Sequence, residues 1–150
     1  MTALDGLREP CQGCAITAAA AISPDLVAEL AHSWLLLGSH QVYPGYCVLW
    51  SKVHAKELHH LGPQGHAALM EDLRRAAAAV EKASACWKLN LASLGNLVQH
   101  AHVHLLPRSA FDPERLRHPW VHEAGFGDSG TPAQRQAMIE RLRAALKEQP

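Results

Sequence analysis

The sequence predicts an α+β fold: an antiparallel β-sheet with a central helix and a C-terminal helix packed on one face. Three observations carry this expectation. Short apolar runs rich in β-favouring types lie over 46–50, 87–94 and 97–106, with turn signals between them. Two other stretches, opened by Gly62-Pro63 and by Thr131-Pro132, space their apolar residues as a helix does. The resulting order, β-β-β-α-β-β-α, lacks the strict strand–helix alternation of a parallel sheet.

Each element has its own justification. The first 14 residues are polar and read as irregular. Over 26–37 two readings stay open. Leu26, Val27, Leu30, Ala31, Trp34 and Leu35 recur at helical spacing behind Ser23-Pro24, yet 33–38 also reads as a short buried strand. Tyr43-Pro44-Gly45 is a turn, and Tyr46 to Trp50 a strand. Leu69, Leu73, Ala76, Val80 and Ala83 form the apolar stripe of the central helix. Gly95-Asn96 turns one predicted strand, 87–94, into the next, 97–106. After Pro107 the chain reads as loop until Thr131, whose Thr-Pro-Ala-Gln sequence is a capping box. Met138, Leu142 and Ala145 stripe the last helix.

Length and charge narrow the function classes. The 150 residues suit a single domain, 1–150, able to bury one core without disulfide staples. Fourteen basic residues balance fourteen acidic ones, so no basic field draws nucleic acid. No apolar run approaches the ~18 residues of a membrane helix. Residues 15–22 make a poor signal peptide, with Asp5 and Glu9 before them and Ser23-Pro24 after. Four cysteines, two of them as Cys11-x-x-Cys14, do not resemble a secreted disulfide framework. The expected setting is reducing and cytoplasmic, with no membrane partner.

The unusual count is eleven histidines. His100, His102 and His104 alternate along one predicted strand, so they share a face, about 6.6–7 Å from one to the next. Ala101, Val103 and Leu105 are left to enter the core. Such a row can be a plain solvated face. It can be a metal site, in which a His-x-His pair shares one ion. It can also act on phosphate, one imidazole attacking phosphorus while its neighbours bind oxygens or protonate a leaving group. Imidazole suits that work because it titrates near neutrality.

His100-Ala-His102-Val-His104-Leu-Leu resembles the signature of the histidine triad (HIT) superfamily of nucleotide hydrolases and transferases. Tyr43-Pro44-Gly45-Tyr46, Lys52-Val53-His54, Lys88-Leu89-Asn90, Leu94-Gly95-Asn96 and Pro107-Arg108 extend the resemblance over roughly 43–120. The pattern is similar to that of bacterial, diadenosine polyphosphate hydrolase-like members. The resemblance implies a HIT-like fold and attack on the α-phosphate of dinucleoside polyphosphates or nucleoside phosphoramidates. His102 would be the nucleophile that takes the nucleotidyl group. His104 would contact the phosphate, and His100 would lie deeper and orient the site. Asn96 and Asn90 match amides that bind the phosphate or the leaving group. The resemblance also implies a homodimer, for which the alanine-rich face Ala76 to Ala79 offers close helix contact.

Two positions depart from the family pattern. Leu97 stands where several members carry a hydroxyl near the phosphate. Gly38-Ser39-His40 stands where an Asn or Asp binds ribose hydroxyls, with Ser39 or His40 as substitutes. These departures support an alternative, a nucleotide-binding module of weak activity. A further alternative is a zinc protein whose histidines serve only the metal.

Cys11-x-x-Cys14 is either half of a structural zinc site or a pair of reduced thiols. The resemblance implies that His54 and His100 complete a closed zinc site with the two cysteines, so that the metal takes no part in the chemical step. Cys47 and Cys86 read as core residues in strands. His59-His60 and the single His32, His40, His66, His118 and His122 read as solvated. The four tryptophans read as core, with Trp120 a candidate wall for the base pocket. Gly127-Asp128-Ser129-Gly130 resembles a protease nucleophile segment, but the chain is too short for that fold and the segment reads as loop.

Overall fold

The computed structural model describes residues 10–150. Of the stretch expected to be irregular, residues 1–9 lie outside the described residues, while Gln12 already begins a helix, α1 (Gln12–Ala19). A 3-10 turn, Ala20–Ile22, ends it before Ser23-Pro24. Alternation then outcompetes helical spacing over 26–37. The segment is a hairpin of β1 (Leu26–Glu29) and β2 (Ser33–Leu37). β3 (Cys47–Ser51), helix α2 (Gly62–Ser84), β4 (Lys88–Ala92), β5 (His102–Arg108) and helix α3 (Pro132–Lys147) follow.

All five strands form one antiparallel sheet in the order β1-β2-β3-β5-β4. Alternation sorts side chains between two layers. Val27, Leu35, Leu37, Cys47, Leu49 and Leu105 face α2 and α3 and make the larger core with Leu69, Ala76, Val80, Ile139 and Leu142. Leu36, Tyr46, Val48, Trp50 and Leu106 face the other way, beneath α1 and a 3-10 segment, Pro119–Gly125. The triad strand thus shows one face to the core and the other to the second layer.

Four expectations need correction. β5 starts at His102, not Leu97, and runs through Pro107 to Arg108. Asn96 and Leu97 belong to a loop over 93–101 instead of a tight hairpin turn. Pro107 is tolerated because β3 pairs with β5 only as far as Leu105. Cys86 sits in the turn after α2 and not in a strand. Trp87 is half exposed, against the guanidinium of Arg115. Of the alanine-rich face, Ala76 and Ala79 are buried in the chain's own core, whereas Ala77 and Ala78 are only partly buried.

Two polar devices hold the frame. Asp72, buried on α2, accepts from the His32 backbone N–H (2.8 Å) and the Ser33 hydroxyl (2.7 Å), which pins the β1–β2 turn. Arg108, wholly buried, is the post around which residues 109–118 are wound. It donates to Asp112 Oδ2 (2.9 Å) and to the carbonyls of Glu114 (2.8 Å) and Arg117 (2.6 Å). That loop delivers Trp120 to the triad face. The helix cap is as expected: Thr131 Oγ1 accepts from Gln134 N–H, and Gln134 Oε1 from Thr131 N–H.

Burial works upward on the Asp112 carboxyl, but bonds from Arg108, His122 and the Glu114 N–H prevail and hold it at about 2. A carboxyl depressed by folding adds stability above its unfolded titration and loses it as pH falls. Thermal melts are therefore expected to drop between about pH 4 and pH 2. Asp112→Asn should flatten that dependence, and an equally steep profile in the variant would refute it.

Candidate active site

The second layer encloses a cleft of about 890 Å3 between the triad face, α1, the 93–98 loop and the 3-10 segment. His102 and His104 line it, with Trp50, Val48 and Leu106 as its apolar floor and Ile16 of α1 as one wall. Asn96, Leu97, Gly38, Ser39, His40 and Trp120 also line it. Trp120 stands edge-on to His104, ring centres 6.3 Å apart.

His102 is buried and stacks on Trp50 at 4.4 Å. Its Nδ1 lies 2.6 Å from the His100 carbonyl, which can only accept. The proton therefore sits on Nδ1, and a neutral His102 keeps a lone pair on Nε2, beside the cleft. His104 Nδ1 lies 2.7 Å from the Tyr46 hydroxyl. Burial, reinforced by His102 and then His40, lowers His104 to about 4, so it is neutral at pH 7. Burial also lowers His40 and raises Tyr46.

His100 turns away from the cleft. Its Nε2 donates to the Ser51 carbonyl at 2.8 Å, which leaves Nδ1 unprotonated. That nitrogen lies 3.7 Å from both Cys11 Sγ and Cys14 Sγ and 3.4 Å from His54 Nδ1, while Cys14 Sγ lies 3.3 Å from His54 Nδ1. Ligands of one tetrahedral zinc stand about 3.3–3.8 Å apart, given Zn–S of about 2.3 Å and Zn–N of about 2.0 Å. The four residues fit a metal ion in both chemistry and spacing. Desolvation and the adjacent Cys11 push the Cys14 thiol up, a penalty that a bound cation reverses. Gly13, between the cysteines, permits the approach: a Cβ there would lie 2.3 Å from His100 Cβ.

The structure thus divides the predicted residues into two groups. His102, His104 and Asn96 share the cleft. Cys11, Cys14, His54 and His100 form the metal-type cluster, which His102 and His104 do not enter. Asn90 joins neither. It lines a separate hollow beyond Trp120, and its Oδ1 accepts from Arg108 at 3.3 Å. Leu97 is almost fully exposed at the cleft rim.

His40, expected at the surface, is buried between Tyr46 and Phe126, and among the described residues no hydrogen-bond partner meets its Nδ1. Single histidines carry no periodic signal, so nothing local distinguished it. His122 is likewise half-buried, on Asp112. The sequence reading also missed the pocket roles of Tyr46, Trp50 and α1.

A five-stranded antiparallel sheet with two histidines of an alternating triad over a cleft, and the third turned to a Cys/His cluster, defines a histidine-triad protein of α+β class. Residues 20–111 match the HIT domain, and the chain belongs to the HIT family. Families of this kind bind nucleotides, as hydrolases or transferases. Similar structures include a histidine triad protein from Bradyrhizobium japonicum, 29% identical, TM-score 0.71, covering 81% of this chain and 89% of that one. A second, from Sinorhizobium meliloti, is 25% identical at TM-score 0.70, covering 80% and 87%. A Zn-bound family protein from Mycobacterium smegmatis shares the fold at 21% identity and TM-score 0.67, covering 92% and 94%. No curated protein sequence matches the chain. Among the described residues no helix is long and apolar enough to cross a membrane.

Proposed function

We propose that this HIT protein is a nucleotidyl hydrolase or transferase that attacks the α-phosphate of dinucleoside polyphosphates or nucleoside phosphoramidates. The observation that carries the reading is His102: its Nδ1 proton is committed to the His100 carbonyl, and its Nε2 is left bare beside the cleft. Nε2 attacks phosphorus, a P–N bond to His102 forms, and the bond to the leaving group breaks. A polyphosphate departs as an anion, whereas an amine takes up a proton from solvent, and the water that attacks in the second step returns one to solvent. The positive charge arising on the ring is stabilised by the Nδ1–H bond to the carbonyl. Water then attacks phosphorus, the P–N bond breaks, and His102 returns to its starting state. His104 supports the phosphoryl oxygens, Asn96 offers its amide from the rim, and Trp120 walls the base.

Zinc is the proposed occupant of the Cys11, Cys14, His54 and His100 cluster. Four protein ligands leave no open coordination place, so zinc would tie α1 to the sheet and supply no reacting group. Two further proposals have their own support. β4 ends the sheet with no outer neighbour among the described residues and with Leu91 half exposed, as a homodimer edge requires. Four cysteines, none of them in a disulfide among the described residues, suit a reducing, cytoplasmic setting. One observation favours a weakly active nucleotide-binding module instead: Leu97 brings no hydroxyl to the rim.

Chromatography of products decides between them. The protein is incubated with diadenosine polyphosphates and with adenosine phosphoramidate, with and without a chelator. Mononucleotide is expected to appear in both arms. Tight binding of these nucleotides without product over hours would favour the module.

A further inference from the structure

Tyr46 is a cleft residue to which the mechanism above gives no task. It directly precedes β3, on the triad face, and it is buried. Its hydroxyl meets His104 Nδ1 at 2.7 Å and no other partner among the described residues. Its ring is held from several directions. His40 stacks on it at 4.5 Å and is itself stacked on Phe126 at 4.0 Å. The ring also rests against the backbone of residue 38, where a Cβ would lie 2.1 Å from Tyr46 Cδ1.

We propose that Tyr46 is a positioning residue for the triad: its hydroxyl donates to His104 Nδ1 and so places the His104 proton on Nε2. A phenol is a good donor and a poor acceptor, and a bare imidazole nitrogen is a strong acceptor. The bond is therefore stronger in this direction than in reverse. It leaves an N–H on the one ring nitrogen available to a phosphoryl oxygen. The opposite tautomer would turn a lone pair toward those oxygens and repel them.

The same contact explains Gly38. Any side chain there would occupy the space of the Tyr46 ring, so the departure from the Asn or Asp pattern and the tyrosine form one arrangement. Residue 38 has no side chain because Tyr46 lies against it.

The catalytic consequence rests on the proposed function, but the tautomer belongs to the resting protein. Nitrogen NMR of protein labelled with 15N-histidine reads it directly, with His104 assigned by the loss of its signals in His104→Gln. Wild type is expected to show a protonated Nε2 and a bare Nδ1. In Tyr46→Phe, which keeps the ring, His104 should become a mixture of tautomers. Turnover of the nucleotide substrate should fall roughly tenfold in kcat, as expected for one lost hydrogen bond, with KM changed less than about threefold. A wild-type proton on Nδ1 overturns the proposal, as does an unchanged tautomer in Tyr46→Phe. Full kcat in Tyr46→Phe, with an active wild type, does the same. Retained turnover in His102→Ala would instead remove the functional reading, and the tautomer would still decide the role of Tyr46.

Discussion

His102→Ala is expected to abolish nucleotide turnover, with a loss of at least ~10^4-fold, because neither of the other two triad imidazoles offers a bare nitrogen in its place. His100 Nε2 is bonded to the Ser51 carbonyl and its Nδ1 faces the cysteines, while His104 Nδ1 is taken by Tyr46. The fold should survive, since the lost ring contributes a stack on Trp50 and one hydrogen bond. Near-ultraviolet circular dichroism would report the repacked tryptophan, and metal content should not change. Imidazole added to His102→Gly should restore part of the activity by attacking phosphorus from the vacated space. Undiminished turnover in the alanine variant would end the covalent mechanism.

Metal removal is expected to produce the largest change in stability. With zinc in the cluster, its loss uncouples α1 from β3 and β5, leaving two thiols and two imidazoles crowded within 4.8 Å. A loss of about 4 kcal/mol is a modest share of structural-zinc binding energies, and in a chain of this size it lowers Tm by roughly 10 °C. Calorimetry beside elemental analysis tests this in chelated protein and in Cys14→Ser. One zinc per chain is expected in the wild type and less in the variant. Turnover at low temperature should persist wherever the fold does, because the ion lies outside the reacting set. Protein without metal that melts at the same temperature would remove the cluster's structural role.

Much of this was legible in the sequence for identifiable reasons. Period-two alternation at 102–105 announces the strand and its two faces, with Val103 and Leu105 buried, whereas His100 lies ahead of the strand and faces the cysteines instead of sharing the cleft. The capping box at Thr131 is a local code, and it is read locally. What failed depends on partners distant in the chain. The 26–37 segment satisfies both periodicities, and pairing of β2 with β3 decides it. α1 has no strong amphipathic pattern of its own, and its place is set by His100 and the cleft. Asn90 stands opposite Leu106 on β5, and its tie to the buried Arg108 and its place in the hollow beyond Trp120 depend on residues far from it in the chain. His40 is buried by stacking on Tyr46 and Phe126, the latter 86 positions later in the chain. In the sequence Tyr46 stands only as the start of a strand and the end of the Tyr43-Pro44-Gly45-Tyr46 motif. Its hydroxyl acquires a purpose only once His104 is folded beside it.

Gly13 also bears on how related sequences are best sorted. A Cys-x-x-Cys pair says only that two thiols share a helical turn, and many unrelated chains carry one. Here the helix touches the first triad histidine through the bare α-carbon of the second intervening residue. Even alanine at that place would force the helix outward and carry the sulfurs away from the imidazoles. The diagnostic string is therefore Cys-x-Gly-Cys upstream of a triad. Homologues that keep both cysteines but fill the third position should have lost this closure, which makes a single glycine a stricter marker than the thiols themselves.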